Sequence, residues 1–106
     1  VAPAELEALL YEHPHVADAA VIPVPDADAG EVPRAYVVLH DSPEGSGPEP
    51  SEADLEAFVA SRVAPHKRLR GGVVYTDKIP KSAAGKILRR LVRDEDRRRA
   101  ALHLHH

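Results

Sequence analysis

The chain has 106 residues, the length of a single domain, and contains neither Cys nor Met. The lack of Cys excludes a disulfide framework, a thiolate metal site and a cysteine nucleophile, and no apolar run approaches the roughly 18 residues of a membrane-spanning helix. The formal net charge of -3 is unevenly distributed. Residues 1–61 carry thirteen acidic side chains and one basic one, whereas residues 62–99 carry thirteen basic and four acidic ones. A basic second half suits an anionic partner such as a phosphate, a nucleotide, a nucleic acid or an acidic protein.

The first half of the chain predicts one helix and two strands. Proline followed by acidic residues and an i, i+3, i+4 leucine pattern indicates a helix over residues 3–10. Short apolar runs predict strands at residues 16–24 and 35–39, joined by turn chemistry at 25–31, and we expect these strands to pair antiparallel. The Gly- and Pro-rich residues 41–50 predict a flexible loop.

The second half predicts a helix, a strand and a basic helix. Ser51 and Asp54 resemble a capping box, and the helix that they open carries an apolar stripe of Leu55, Phe58, Val59 and Val63. A third strand is expected at residues 72–76, and a basic helix from Lys86 past Arg93. The predicted order α-β-β-α-β-α defines a small α+β domain, with about three strands in one sheet and flanking helices.

The loop at residues 79–86 carries the most informative chemistry. Gly85, placed directly before the predicted basic helix, would let backbone amides approach an anion. Lys81 and Lys86 flank this loop, and a cation in the first turn of a helix is disfavoured by the helix dipole. The sequence therefore predicts that an anion binds there, with Lys86 beside it.

Two enzymatic motifs fail at this loop. A phosphate-binding P-loop requires Gly at position 80 and Ser or Thr at position 87, where this chain has Pro80 and Ile87. Ser82 lies beside Lys81, but no Ser-His-acid arrangement follows from the spacing. The sequence therefore indicates neither P-loop hydrolysis nor a serine nucleophile.

The candidate metal motifs are equally weak, and we expect no metal site. Residues 26–31 resemble a calcium loop but lack the EF-hand spacing, which favours a simple turn. His13 and His15 flank a proline that prevents the i, i+4 placement used by helical zinc sites. The terminal histidines are better explained as a frayed end or a purification-tag remnant, and they comprise His103, His105 and His106.

Several blocks together resemble one enzyme superfamily. The opening VAPAELE is similar to the V-x-P-x-E-[IL]-E segment of adenylate-forming enzymes, and the loop PKSAAGK is similar to their P-K-[ST]-x-x-G-K motif. Matching blocks also lie at residues 13–21, 25–33, 69–73 and 87–90. The chain thus resembles the C-terminal domain of the superfamily of acyl-CoA synthetases, peptide-synthetase adenylation domains and luciferases. It is most similar to 4-coumarate–CoA ligase-like and fatty-acyl-CoA ligases.

The resemblance implies a lid domain of a two-step ligase. A carboxylic acid and ATP, with Mg²⁺, would give an acyl-adenylate and pyrophosphate, and CoA would then displace AMP. Lys86 falls on the family's catalytic lysine, within a nucleotide loop that includes Pro80, Lys81, Ser82 and Gly85. The lid would rotate between the two steps, and the surface near its first residues would then help form the CoA tunnel. The implied partner is an N-terminal nucleotide-binding domain, so we expect this piece alone to be nearly inactive, with no tightly bound cofactor.

The expected layout is a lid domain at residues 1–94 and a polar helical extension at 95–106, in a cytoplasmic enzyme with no membrane span. Two alternatives remain open at this point. One is a stand-alone interaction module that binds nucleic acid or an acidic protein through the helix of residues 86–99. The other, within the superfamily, is a domain that serves a carrier protein or an oxidative luciferase-like reaction. The shortage of aromatic residues and the acidic first half argue against nucleic acid.

Overall fold

A computed structural model describes residues 2–41 and 48–103, and the middle of the predicted flexible loop lies outside these ranges. The α-helices are α1 (Pro3–Tyr11), α2 (Glu52–Ala60) and α3 (Arg89–His103). The strands are β1 (Val16–Asp26), β2 (Gly30–Leu39) and β3 (Val73–Tyr75), and a short 3₁₀ turn covers Pro65–Lys67. The predicted α+β class and the order α-β-β-α-β-α are confirmed.

The three strands form one mixed sheet in the order β1-β2-β3. β1 and β2 pair antiparallel from Val16↔Leu39 to Asp26↔Gly30, as predicted, whereas β3 runs parallel to β2. The connection between β1 and β2 is a tight turn, in which one carboxylate oxygen of Asp26 accepts hydrogen bonds from the amides of Asp28 and Ala29 at 3.1 and 2.9 Å. Gly30 completes this turn with a φ of 81°.

Both strands of the hairpin are longer than the sequence suggested, and they contain prolines. β1 is an edge strand of this sheet, and Pro23 pairs opposite Pro33. On β2 the parallel pairing with β3 covers only Ala35 to Val37, so Pro33 lies outside it. The prolines are tolerated because they occupy positions where the sheet requires no further amide donor.

Helices cover both faces of the sheet and create two apolar clusters. The first cluster joins Leu6 and Leu10 of α1, Leu55 and Val59 of α2, and one face of the sheet. The second cluster lies on the opposite face, where Val92 of α3 packs among the buried residues Ala20, Ile22, Val24, Val32, Tyr36 and Ile79. Because consecutive residues of β1 enter different clusters, β1 reads as a continuous apolar run rather than an alternating one.

The predicted start of α2 is confirmed in atomic detail. The Ser51 hydroxyl accepts a hydrogen bond from the Asp54 amide at 3.0 Å, and the Asp54 carboxylate accepts one from the Ser51 amide at 2.8 Å. This reciprocal pair is a capping box, which contributes about 1 kcal/mol to helix stability. The helix ends at Ala60, so Val63 packs against the core from outside the helix.

Candidate active-site loop

The residues from Pro80 to Leu88 form a small antiparallel hairpin, here called the Lys86 loop. Lys81 bridges to Ile87, and the Ser82 amide donates to the Lys86 carbonyl at 2.9 Å. The Leu88 amide donates to the Pro80 carbonyl at 3.0 Å, which closes the base of the hairpin. Ile87 packs against the second apolar cluster, so the loop is attached to the domain along its base.

The tip of the loop is a tight turn held by Ser82. The Ser82 carbonyl accepts from the Gly85 amide at 2.9 Å, and its hydroxyl accepts from the Lys86 amide at 3.2 Å. Gly85 has a φ of 84°, a backbone conformation that costs other L-residues roughly 1–2 kcal/mol. Ser82 thus has a structural role in this turn, and the amides of Ser82, Gly85 and Lys86 donate hydrogen bonds within the loop.

The prediction that the basic helix begins at Lys86 is wrong. Helix α3 begins at Arg89, and Gly85 lies in a turn rather than directly before a helix. The bridge between Lys81 and Ile87 keeps the intervening backbone extended or turned. The argument from the helix dipole therefore does not apply to Lys86.

Lys86 is an exposed cation at the tip of this loop. Its side chain is accessible to solvent, and within residues 2–41 and 48–103 it forms no ion pair. A lysine ammonium that has no carboxylate partner is available to bind an anionic ligand. Within the described part of the chain, the turn at Gly85 therefore presents an ammonium without an ion-pair partner on a hydrogen-bonded support.

Lys81, in contrast, is engaged at the start of the same loop. Its ammonium lies 2.8 Å from a carboxylate oxygen of Asp18 on β1, and the other oxygen of Asp18 accepts from the Tyr11 hydroxyl. Burial alone would raise the pKa of Asp18, but the hydrogen bonds from Lys81, Tyr11 and the Ala19 amide outweigh it and lower that pKa. The hydrogen bond to Asp18 raises the pKa of Lys81 in turn.

A second ion pair lies at the other end of the loop. The Arg89 guanidinium donates to both carboxylate oxygens of Glu7, at 2.6 and 3.2 Å. Glu7 is only 5% exposed and also accepts from the Val21 amide at 2.8 Å, so its carboxylate joins α1, β1 and the start of α3. The sequence assigned no role to Glu7 or Asp18. The sequence did offer one signal for Glu7. It lies three positions before Leu10, which places its carboxylate on the buried face of α1.

The remaining candidate positions are occupied by structural contacts. The rings of His13 and His15 are 5.8 Å apart, and His13 packs edge-on against Phe58, where burial lowers its pKa. In the part of the chain that the structure describes, no cluster of His, Asp and Glu could hold a metal ion. No helix in those same ranges is long and apolar enough to span a membrane. His105 and His106 of the predicted tag remnant lie outside the described residues.

Helix α3 continues through residues 95–103 without a break and returns to the sheet. Asp96 is buried, and one of its carboxylate oxygens accepts from Arg34 at 2.7 Å and from the Tyr36 hydroxyl at 2.6 Å. Arg98 pairs with Glu95 on the exposed side. Some charged side chains of the basic helix thus form contacts within the domain. The expected boundary at residue 94 stays a prediction.

Comparison with known proteins identifies relatives of the whole domain. The family model of the AMP-binding enzyme C-terminal domain matches residues 5–86. The 4-coumarate–CoA ligase-like 9 of Oryza sativa subsp. japonica is 56% identical over 96 residues, and 4-coumarate–CoA ligase-like 1 of Arabidopsis thaliana is 52% identical over 95. Each alignment covers 90% of this chain and 16% of the relative.

The fold is also shared with solved structures. The ATP-bound structure of MatB from Rhodopseudomonas palustris superposes with a TM-score of 0.76 and 29% identity, covering 90% of this chain and 18% of that one. The plant relatives and the solved structure each match this chain over less than a fifth of their own length. Neither comparison favours a nucleic-acid-binding module. This chain belongs to the AMP-binding enzyme C-terminal domain family, the small C-terminal domain of AMP-forming acyl-CoA synthetases and related ligases.

Proposed function

We propose that this chain is the catalytic lid of an AMP-forming acyl-CoA synthetase. The single observation that carries this proposal is the exposed Lys86 on a hydrogen-bonded turn, without an ion-pair partner among the described residues, within a domain of a ligase family. The chain spans less than a fifth of the length of the relatives described above. The proposed activity therefore requires an N-terminal nucleotide-binding domain. We call this chain joined to that domain the two-domain enzyme.

In the first proposed step, a substrate carboxylate oxygen attacks the α-phosphorus of ATP and pyrophosphate leaves. Negative charge develops on the α-phosphate oxygens as the new bond forms. The Lys86 ammonium stabilises that charge and the approaching carboxylate as a fixed point charge. Because the turn at Ser82 and Gly85 is already formed, the ammonium is positioned with little reorganisation at the moment of reaction.

In the second proposed step, the CoA thiol displaces AMP and gives the acyl-CoA thioester. We propose that the lid rotates between the two steps, which would withdraw Lys86 and bring the surface near the first residues of this chain towards the CoA tunnel. The described residues hold no cluster suited to a metal. We propose that Mg²⁺ arrives with ATP as part of the substrate.

The proposed nucleotide loop is completed by residues that fix the path of the backbone around Lys86, namely Pro80, Lys81, Ser82 and Gly85.

The ATP-bound state of the MatB structure supports ATP as the nucleotide substrate, and the names of the plant relatives support a carboxylic acid and CoA. We further propose a cytoplasmic location, where ATP and CoA are both supplied, which fractionation of the source cells would test.

The two half-reactions test this proposal separately. In the two-domain enzyme, Lys86→Ala should slow acid-dependent pyrophosphate release by about two orders of magnitude or more, because one preorganised charge is lost. The rate of thioester formation from a supplied acyl-adenylate and CoA should remain within about threefold of the wild-type rate, because that step does not use the Lys86 charge.

The matched control is Lys78→Ala, which removes an exposed lysine from the segment leading into the same loop. This variant should leave both steps unchanged. A Lys86→Ala enzyme that releases pyrophosphate at the wild-type rate would show that Lys86 is only a surface charge.

A further inference from the structure

Two ion pairs to the same part of the domain anchor the Lys86 loop, one within the loop at Lys81 and one directly after it at Arg89, the first residue of α3. Lys81 precedes the turn and pairs with Asp18 at 2.8 Å, while Arg89 follows it and pairs with Glu7 at 2.6 Å. Asp18 lies in β1 and Glu7 in α1, the elements on which the first apolar cluster is built. Both acceptors are largely buried, with side-chain exposures of 18% and 7%.

These contacts differ from isolated surface ion pairs because each carboxylate has further donors. Asp18 also accepts from the Tyr11 hydroxyl and the Ala19 amide, and Glu7 from the Val21 amide. A carboxylate held by several donors on two elements has little freedom to move, and this orders the cation that it binds. An isolated surface pair would contribute far less order.

The hairpin hydrogen bonds define the shape of the loop but not its orientation on the domain. Those bonds join Pro80 to Leu88 and Ser82 to Lys86, so they are all internal to the loop. The side chains of Ile79 and Ile87 contact the second apolar cluster, but such contacts are non-directional. The two ion pairs are directional contacts, which join Lys81 of the loop to β1 and Arg89, directly after the loop, to α1.

We propose that Asp18 and Glu7 are positioning residues for adenylation, which hold the Lys86 loop through Lys81 and Arg89 so that the Lys86 ammonium meets the reacting groups. This inference rests on the proposed role of Lys86. Misplacement of a catalytic group by about 1 Å can reduce a rate by about 100-fold. Loss of one anchor should therefore slow the step that uses Lys86 and spare the step that does not.

The first anchor is tested in the two-domain enzyme with Asp18→Asn and Lys81→Met, assayed by pyrophosphate release and by thioester formation from supplied acyl-adenylate. Each variant should slow adenylation about 10- to 100-fold while the thioester step stays within about twofold. Asp18→Glu, which keeps the carboxylate, should recover part of the rate. Lys81→Met removes a partly exposed side chain, so it tests the anchor even if Asp18→Asn fails to fold.

Asp96→Asn is the matched control for Glu7→Gln. The Arg34–Asp96 pair has side-chain exposures of 28% and 8%, close to the 34% and 7% of Arg89–Glu7, but it joins β2 to α3 beyond the loop. Both variants lose a comparable buried pair. Only Glu7→Gln should slow adenylation selectively. Asp96→Asn should leave the rates of both steps within about threefold of the wild-type rates.

The decisive comparison repeats Asp18→Asn in the Lys86→Ala enzyme. A positioning residue acts through the lysine, so the second substitution should slow adenylation no further. An additional loss by the same factor as in the wild type, or a parallel loss in both half-reactions, would assign Asp18 a general structural role and overturn the inference.

Two other outcomes separate this inference from the proposed function. Wild-type adenylation in both Asp18→Asn and Lys81→Met, beside a slow Lys86→Ala enzyme, would overturn the positioning role and leave the proposed function intact. Wild-type adenylation in Lys86→Ala itself would overturn both.

Discussion

The buried carboxylate of Asp96 predicts a large loss of stability when it is removed. Asp96 lies in α3, beyond the residues matched by the family model, and its side chain is 8% exposed. It accepts from Arg34 at 2.7 Å and from the Tyr36 hydroxyl at 2.6 Å. Asp96→Ala therefore leaves a guanidinium and a phenolic hydroxyl without their acceptor, inside the interface between α3 and the sheet.

The magnitude follows from how far those two donors can recover. Removing one member of a fully buried ion pair costs about 3–5 kcal/mol, because the other charge stays buried. Here the Arg34 side chain is 28% exposed and keeps its hydrogen bond to the Gly71 carbonyl at 2.7 Å, so water can replace part of the lost contact. We therefore expect Asp96→Ala to lower the free energy of unfolding by about 2–3 kcal/mol.

Urea unfolding of this chain, followed by far-ultraviolet circular dichroism, measures that loss. With a slope of about 1.5 kcal/mol per molar urea, the midpoint should fall by about 1.3–2 M. Asp94→Ala is the matched control, since it removes an exposed aspartate from the same helix and should change stability by less than about 0.5 kcal/mol. Equal midpoints for the two variants would refute the assigned contribution of the Asp96 contacts.

Three further predictions concern stability. In Gly71→Ala the new Cβ would lie 2.8 Å from the Pro33 carbonyl oxygen, so thermal unfolding should show a loss of about 1–3 kcal/mol, and an unchanged midpoint would contradict the close approach. Gly85→Ala meets no atom within 4 Å but must adopt a φ of 84°, so it should lose about 1–2 kcal/mol through backbone strain alone, and Gly85→Asn should lose less. The pKa of Asp18 is lowered in the fold from its ordinary value of 3.8, so its ionised form stabilises the protein above that pH, and the contribution is lost as pH falls through the lowered value. The stability difference between wild type and Asp18→Asn should therefore be constant near neutral pH and shrink below about pH 4, and a difference that persists undiminished to pH 2 would contradict this assignment.

Local sequence signals predicted most of the fold. The capping box at Ser51 and Asp54, the leucine pattern of α1 and the apolar run of β1 each depend on nearby residues, and the structure confirms all three elements. The parallel pairing of β3 with β2 was not predicted, because strand direction depends on the path of the chain between the strands rather than on the strands themselves.

The contacts that orient the candidate site could not be predicted from the sequence. Glu7 and Arg89 are 82 positions apart, and Asp96 meets Tyr36 across 60 positions, so no periodic pattern connects them. The wrong start of α3 has a related cause. Residues after Gly85 have good helix propensity, but pairing with Lys81 across the hairpin competes successfully with an early helix. The prediction of Lys86 as the candidate catalytic residue depends on the motif resemblance, because the argument from a cation in the first turn of a helix fails when α3 begins at Arg89.

Chemical restoration of the charge at position 86 tests the central claim most directly. The chain contains no cysteine, so Lys86→Cys places a single reactive thiol in this domain, and alkylation with 2-bromoethylamine restores an ammonium at nearly the length of a lysine. In the two-domain enzyme, with wild type treated identically, pyrophosphate release should fall by about two orders of magnitude in Lys86→Cys and recover largely after aminoethylation, but not after neutral alkylation with iodoacetamide. Equal recovery with the neutral reagent, or no recovery after complete aminoethylation, would contradict the claim that the Lys86 ammonium stabilises the adenylation step.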